Sequence, residues 1–240
     1  MRSHCVLLLL FLAACTRSEL GAAPQHDNAA RLRVAAAAEA SGQTDVALSM
    51  LATAAAAAPD DPVVQSRRAA ALLRAGEAGR AEDVLTRALR RSPNAASLLE
   101  GLGRIRLRTG AAQEAITLFN QVLAREPEAA SSLSGRGIGL DLLGQHADAL
   151  ASHRSAFARA PDDIAIANNL AVSLMLVGRF EEAEAVLIPL TRRPGAPPRV
   201  TLNLAMARMA RGDRAGAETL LDRTMLADSL LPWAEVLQRL

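Results

Sequence analysis

The chain contains no lysine and no tyrosine, and aromatic residues make up only 2% of its 240 positions. A globular β protein needs more aromatic and β-branched side chains than this to cover a pleated surface. The same scarcity leaves few rings on which nucleobases could stack. All 27 basic residues are arginine, yet 25 acidic residues hold the net charge to +2, and no basic tail is present. Nucleic acid is therefore not an expected partner, and the arginines read first as solvated surface charge. Cysteine occurs only at Cys5 and Cys15, so the body of the chain can hold neither an internal disulfide nor a thiolate metal site.

Catalytic groupings are also missing. His4, His26, His146 and His153 show no metal-ligand clustering; the last two lie seven apart, too far to share an ion without further ligands. Ser152 and His153 are adjacent in sequence, so a helix points them in different directions. GRGIG (135–139) has the look of a phosphate loop but follows no strand and falls inside an expected helix. No enzyme activity, metal, cofactor or small-molecule substrate is expected.

What is abundant is alanine, in runs such as AAAAEA (35–40) and AAAAA (54–58), mixed with Leu, Glu and Arg. These residues favour helix, and the expected class is all-α.

The start of the chain reads as an address. MRSH is followed by CVLLLLFLAA (5–14), an apolar run well short of the roughly 20 residues a membrane-spanning helix needs. It fits a secretory signal core, with an ordinary cleaved signal or a buried helix as the other readings. LAAC (12–15) resembles the lipobox of bacterial lipoproteins, in which Leu and two small residues precede the cysteine that becomes the mature N-terminus. The resemblance implies a signal peptide over 1–14 and a thioether lipid with an acylated amine on Cys15. Two or more acyl chains anchor stably where one is marginal. It also implies, from Thr16 in place of an aspartate, delivery to the periplasmic face of the outer membrane of a Gram-negative cell. Residues 15–27, with Gly21 and Pro24, then read as the lipidated N-terminus and tether.

The body carries a 34-residue ruler: Gly42, Gly76, Gly110, Gly144, Gly178 and Gly212 keep that step. Alanine follows each glycine at five residues (Ala47, Ala81, Ala115, Ala149, Ala183, Ala217), and a small residue precedes each at seven (Ala35, Ala69, Gly103, Gly137, Ala171, Ala205). Pro59, Pro93, Pro127 and Pro161 keep the same period. Four ladders at one period signal an array of helical hairpins. The pattern resembles the tetratricopeptide repeat (TPR), six copies starting near Asn28, Pro62, Ala96, Ala130, Ile164 and Pro198. The resemblance implies a right-handed α-solenoid over 28–229, closed by a capping helix over 230–240 that carries Trp233. The glycine ends each first helix in a left-handed conformation, and Asp61 before Pro62 forms a helix start. Repeat position 24, normally large and apolar, holds His153 in the fourth copy, read as a packed core histidine. Pro189 should kink or shorten its helix.

TPR arrays typically bind a protein segment on the face lined by the first helices. Mapped onto this chain, the groove residues implied by the resemblance are Arg74, Glu100, Arg104 and Arg108 in repeats two and three. Repeats five and six supply Asn168, Val172, Met175, Leu176, Leu202, Met206 and Met209. Arginine forks suit carboxylates and methionines adapt to apolar surfaces, so the groove would be basic in its middle and apolar at its C-terminal end. The other reading keeps these arginines solvated and the methionines against the capping helix. With no lysine, a chaperone-tail carboxylate clamp is not expected.

Finally, NNLAVSLMLVGRFEEAEAVLIPL (168–190) followed by PGAPPRVTLNLAMARMARGDRAGAE (194–218) resembles the TadD family of TPR lipoproteins from tight-adherence (Flp) pilus systems. That resemblance covers about a third of the chain. It implies an outer-membrane assembly factor of a pilus machine, pilotin-like toward its secretin. A type IV pilus pilotin-like lipoprotein and a general cell-envelope scaffold are the alternatives.

Overall fold

The computed structural model of the protein describes residues 23–221, with side chains from Asn28 onward. The signal peptide, Cys15, the capping helix and Trp233 lie outside the described residues. The described residues form helices joined by short connections, and no strand occurs among them.

The chain divides into two compact units, Met1–Pro59 and Asp60–Leu240. The first holds α1 (Ala23–Ala40) and α2 (Thr44–Ala57), which pack on each other. Among the described residues its buried core is almost entirely small, Ala35, Ala38, Ala47, Ala54 and Ala55, with Leu51 the one large side chain. Asn28 Nδ2 donates to the Ala54 carbonyl at 3.1 Å and ties the two helices together. The start of α1 departs from expectation. The helix begins at Ala23 rather than Asn28, so residues 23–27 extend the helix instead of ending a tether. Pro24 permits this, because in a first turn its missing N–H has no bond to lose.

The second unit is a stack of five helix pairs. They are α3 (Pro62–Arg74) with α4 (Ala78–Arg91), α5 (Ala96–Arg108) with α6 (Ala112–Leu123), and α7 (Ala130–Leu142) with α8 (His146–Arg159). α9 (Ile164–Leu176) pairs with α10 (Phe180–Thr191), and α11 (Pro198–Ala210) with the short α12 (Arg214–Glu218). The five first helices start at the residues that the 34-residue period gives. From α3 to α12 every helix packs on the next in sequence, and each odd-numbered helix from α3 also packs on the next odd-numbered one. That places α3, α5, α7, α9 and α11 side by side on one face.

Local chemistry explains the punctuation. Gly76 sits at φ 84° and the other period glycines between φ 72° and 85°. At this turn Gly76 N donates to Leu73 O (3.2 Å) and Glu77 N to Leu72 O (2.9 Å), satisfying carbonyls that the helix end leaves open. Asp61 accepts from the N–H groups of Val63 and Val64 at the start of α3, and Asp163 does the same for Ala165 and Ile166 at α9. Pro189 does not stop α10, which continues to Thr191. The carbonyl it leaves without a donor belongs to Ala185, which is exposed to water. The Pro-rich link 194–198 turns through Gly195 at φ 75°, and α11 docks on both α9 and α10.

Candidate partner-binding face

The face lined by the odd-numbered helices is held together by side chains that reach from one repeat to the next. Glu100 on α5 accepts from Ser131 and, at 2.6 Å, from Ser132 of α7. Ser66 donates to the Ser97 carbonyl at 2.8 Å. Asn169 Nδ2 donates to Ser134 Oγ at 3.1 Å, and Asn203 Nδ2 to Asn168 Oδ1 at 2.8 Å. Such buried amides and hydroxyls have to be paired inside the stack, and each finds its partner one repeat away.

Asp141 closes the middle of the same face. Its carboxylate lies 2.9 Å from His146 Nδ1 and 3.3 Å from His153 Nε2, and Ser173 of α9 donates to it at 3.5 Å. The two histidines that sequence spacing kept apart therefore meet at one carboxylate. His153 is buried, as expected of a core residue, and its Nδ1 has no protein partner. Among the described residues no group of three or more His, Cys, Asp or Glu is arranged to hold a metal ion.

These contacts revise the groove drawn from the sequence. Asn168, Met175 and Met209 leave it, since they are 4%, 3% and 9% exposed and face the core. Asn168 is buried by the bond from Asn203. Met175 packs among Leu170, Leu174 and Leu187, and Met209 with Ala205, Ala217 and Leu221. Glu100, at 15% side-chain exposure, is occupied by the serines of the next repeat. Val172, Leu176, Leu202 and Met206 are half-buried, while Arg74, Arg104 and Arg108 are exposed.

The arginines divide by the direction of their helix face. Arg106 points into the α4/α5 interface, 2.7 Å from Glu82 and 2.7 Å from Glu114. Its hydrogen bond holds the Glu82 carboxyl below the usual carboxylate range, and that pair in turn raises the Arg106 guanidinium. Arg208 repeats the arrangement with Glu184 at 2.8 Å, and Arg211 joins at 2.5 Å to the same carboxylate and at 3.0 Å to Glu181. Both Arg106–Glu82 and Arg208–Glu184 span 24 residues. That recurrence was available in the sequence as the signal of an interface ion pair. Arg104 and Arg108, by contrast, stand on the open side of α5. Leu142 and Leu143, which sequence reasoning missed, are exposed at 57% and 42% at the C-terminal end of α7, the first helix of the next repeat.

Period, hairpin stacking and an open first-helix face define a helical-repeat scaffold that presents an extended surface. Models of the tetratricopeptide repeat match residues 35–96, 66–132, 101–164 and 142–200, and the chain belongs to that family. TPR domains bind protein partners. Comparison with curated protein sequences finds no match. Among solved structures, the chain is similar to PilW, a widely conserved type IV pilus biogenesis factor, with TM-score 0.66, 20% identity, 90% of this chain and 98% of that one covered. It is similar to PilF of Pseudomonas aeruginosa, with TM-score 0.64, 16% identity, and 90% and 97% covered. A thermophilic TPR protein of Thermus thermophilus gives TM-score 0.67, 23% identity, and 75% and 98% covered. At these identities the likeness is one of fold.

Proposed function

We propose that this chain is a protein-binding assembly factor of a tight-adherence (Flp) pilus system, of the TadD type, held by lipid on Cys15 at the periplasmic face of the outer membrane. The observation that carries the reading is the late-repeat signature and the bond within it. NNL (168–170) and NLA (203–205) are joined by Asn203 donating to Asn168 across the PGAPPRV link. The residues that resemble the pilus family are thus a connected feature of repeats five and six and do more than satisfy the general repeat pattern. The task assigned to the protein is to hold a segment of another pilus component, the secretin being the first candidate.

A second reading, a type IV pilus pilotin-like role, is favoured by the shared fold with PilW and PilF over nearly their whole lengths. Deletion of the gene tests both at once. Secretin multimers and surface pili should be lost and return with the wild-type gene; unchanged multimers and pili would end either pilus reading and leave a general envelope scaffold. Cys15→Ser tests the anchor separately, and continued fractionation with outer membranes would refute lipid as the main attachment.

A further inference from the structure

We infer that the partner docks on the rim formed by the C-terminal halves of α5 and α7, and that the docking segment carries two carboxylates next to a pair of large aliphatic side chains. The inference rests on the protein-binding reading above and names the chemistry of the partner.

The floor of the first-helix face is closed to a ligand over much of its length. Glu100 is bonded to the serines of the next repeat, Asp141 is shared by two histidines, and Asn168 is buried under Asn203. What remains open lies toward the rim. Arg104 and Arg108 are one helical turn apart on α5 and so share a face. Arg106 between them is saturated by two carboxylates, but among the described residues Arg104 has only Glu100, at 3.8 Å, beyond hydrogen-bond reach. Arg108 donates to the Leu73 carbonyl at 2.9 Å, and among the described residues no carboxylate pairs with it. Guanidinium forks with unused N–H groups are matched by carboxylates, each able to accept two parallel bonds.

Leu142 occupies in α7 the place that Arg108 occupies in α5, one 34-residue period on, and Leu143 follows it into the turn. Large aliphatic side chains this exposed, side by side, lose water-contacting surface when a partner covers them. A segment crossing from α5 to α7 therefore meets charge first and apolar surface second. The arrangement fits a polypeptide better than an anionic bilayer. Two arginines one helical turn apart with two exposed leucines in the next repeat are a fixed pattern that the side chains of one peptide can match, whereas a lipid surface offers no such fixed spacing.

The test uses full-length protein in its native membranes, with a photo-crosslinking residue at Leu142, at Met206 on the same face, and at the exposed Gln113 of α6 as control. The expected product at Leu142 is a peptide of another protein with at least two Asp or Glu near two large aliphatic residues. That peptide, synthesised and titrated in solution, should bind Arg104→Glu/Arg108→Glu at least about tenfold more weakly than wild type, and more weakly at higher salt. Replacing its acidic residues with lysine should restore binding to the double variant, a rescue that loss of folding cannot produce. Crosslinks from Leu142 to phospholipid, to a second copy of this chain or to a peptide without carboxylates would overturn the inference, as would unchanged affinity in the double variant. Capture of a protein from Met206 but not Leu142 would remove the rim and keep the protein-binding reading. Capture of no protein from either position would remove both.

Discussion

The repeat interfaces at the two ends of the second unit are held differently from those in its middle. At α4/α5 and α10/α11, an arginine from one repeat meets a glutamate of the repeat before it, Arg106 with Glu82 and Arg208 with Glu184. At the same repeat positions the middle interfaces carry Leu140 with Ile116 and Leu174 with Leu150, the latter two sharing one buried cluster. The middle also carries a feature the ends lack, rings laid against glycine. An added Cβ at Gly103 or Gly135 would come within 2.8 or 2.4 Å of the Phe119 ring, and one at Gly137 within 2.6 Å of His153. One hairpin geometry is thus maintained either by charge pairs at the margin of the interface or by close ring-on-backbone packing. The two solutions differ in strength, because packing in a dry interior is worth more than partly hydrated ion pairs.

The largest effect should come from removing the ring that wedges the middle. Phe119→Ala is expected to cost about 3–5 kcal/mol, since the glycine surfaces on either side have no side chains with which to fill the space. Thermal unfolding followed by circular dichroism would measure it, and a loss below about 1 kcal/mol would mean that the ring is not the wedge. The converse substitution, Gly135→Ala, drives a methyl into the same ring and should cost about 1–3 kcal/mol. Combining Gly135→Ala with Phe119→Leu should cost less than the sum of the two single changes, because the smaller side chain makes room for the methyl. Strict additivity would show that the two residues do not press on each other.

Charge-pair interfaces should be softer. Glu184→Gln weakens the bonds to both Arg208 and Arg211 at a carboxylate only 13% exposed, and a loss of about 1–2 kcal/mol is expected. Glu82→Gln should cost less, about 0.5–1 kcal/mol, since Glu82 is 37% exposed and its attraction to Arg106 is partly screened. If Glu82→Gln proved as costly as Phe119→Ala, the contrast between ends and middle would fail.

Much of the fold was legible because its causes are local and periodic. Glycine at a left-handed turn, small residues where helices cross and aspartate before a helix start act within a few residues of chain, and they repeat every 34. The five hairpins of the second unit accordingly begin where the period places them. The candidate face was less legible, because exposure depends on contacts between repeats. Asn168 and Asn203 are both polar, and nothing in either one says that they bond each other. Met175 and Met209 were assigned to the groove by repeat position, but each turns inward to fill space left by a core built largely of alanine and leucine. Asp141 carries no signal of its own in the sequence, and only the fold brings His146 and His153 to it. Only the 24-residue recurrence of Arg and Glu stood in the sequence as an unread long-range signal, and it concerns the interfaces rather than the open face.

The smallest effect is also the one that most directly identifies the end interfaces as electrostatic. Hydrogen bonding to Arg106 lowers the Glu82 carboxyl in the folded protein; burial opposes it, and the charge of Arg106 adds a smaller lowering. A carboxyl whose folded value is depressed contributes stability that is fully present above its unfolded value, about 4.3 for glutamate. That contribution is lost as the pH falls through the folded value, where the native state also takes up the proton. The stability difference between wild type and Glu82→Gln should therefore be constant near neutrality and shrink toward zero below about pH 4. Phe119→Ala should show no such convergence, because neither residue of that pair titrates. Parallel pH profiles for the two variants would remove the electrostatic account of α4/α5 and leave packing as the common basis of all four interfaces.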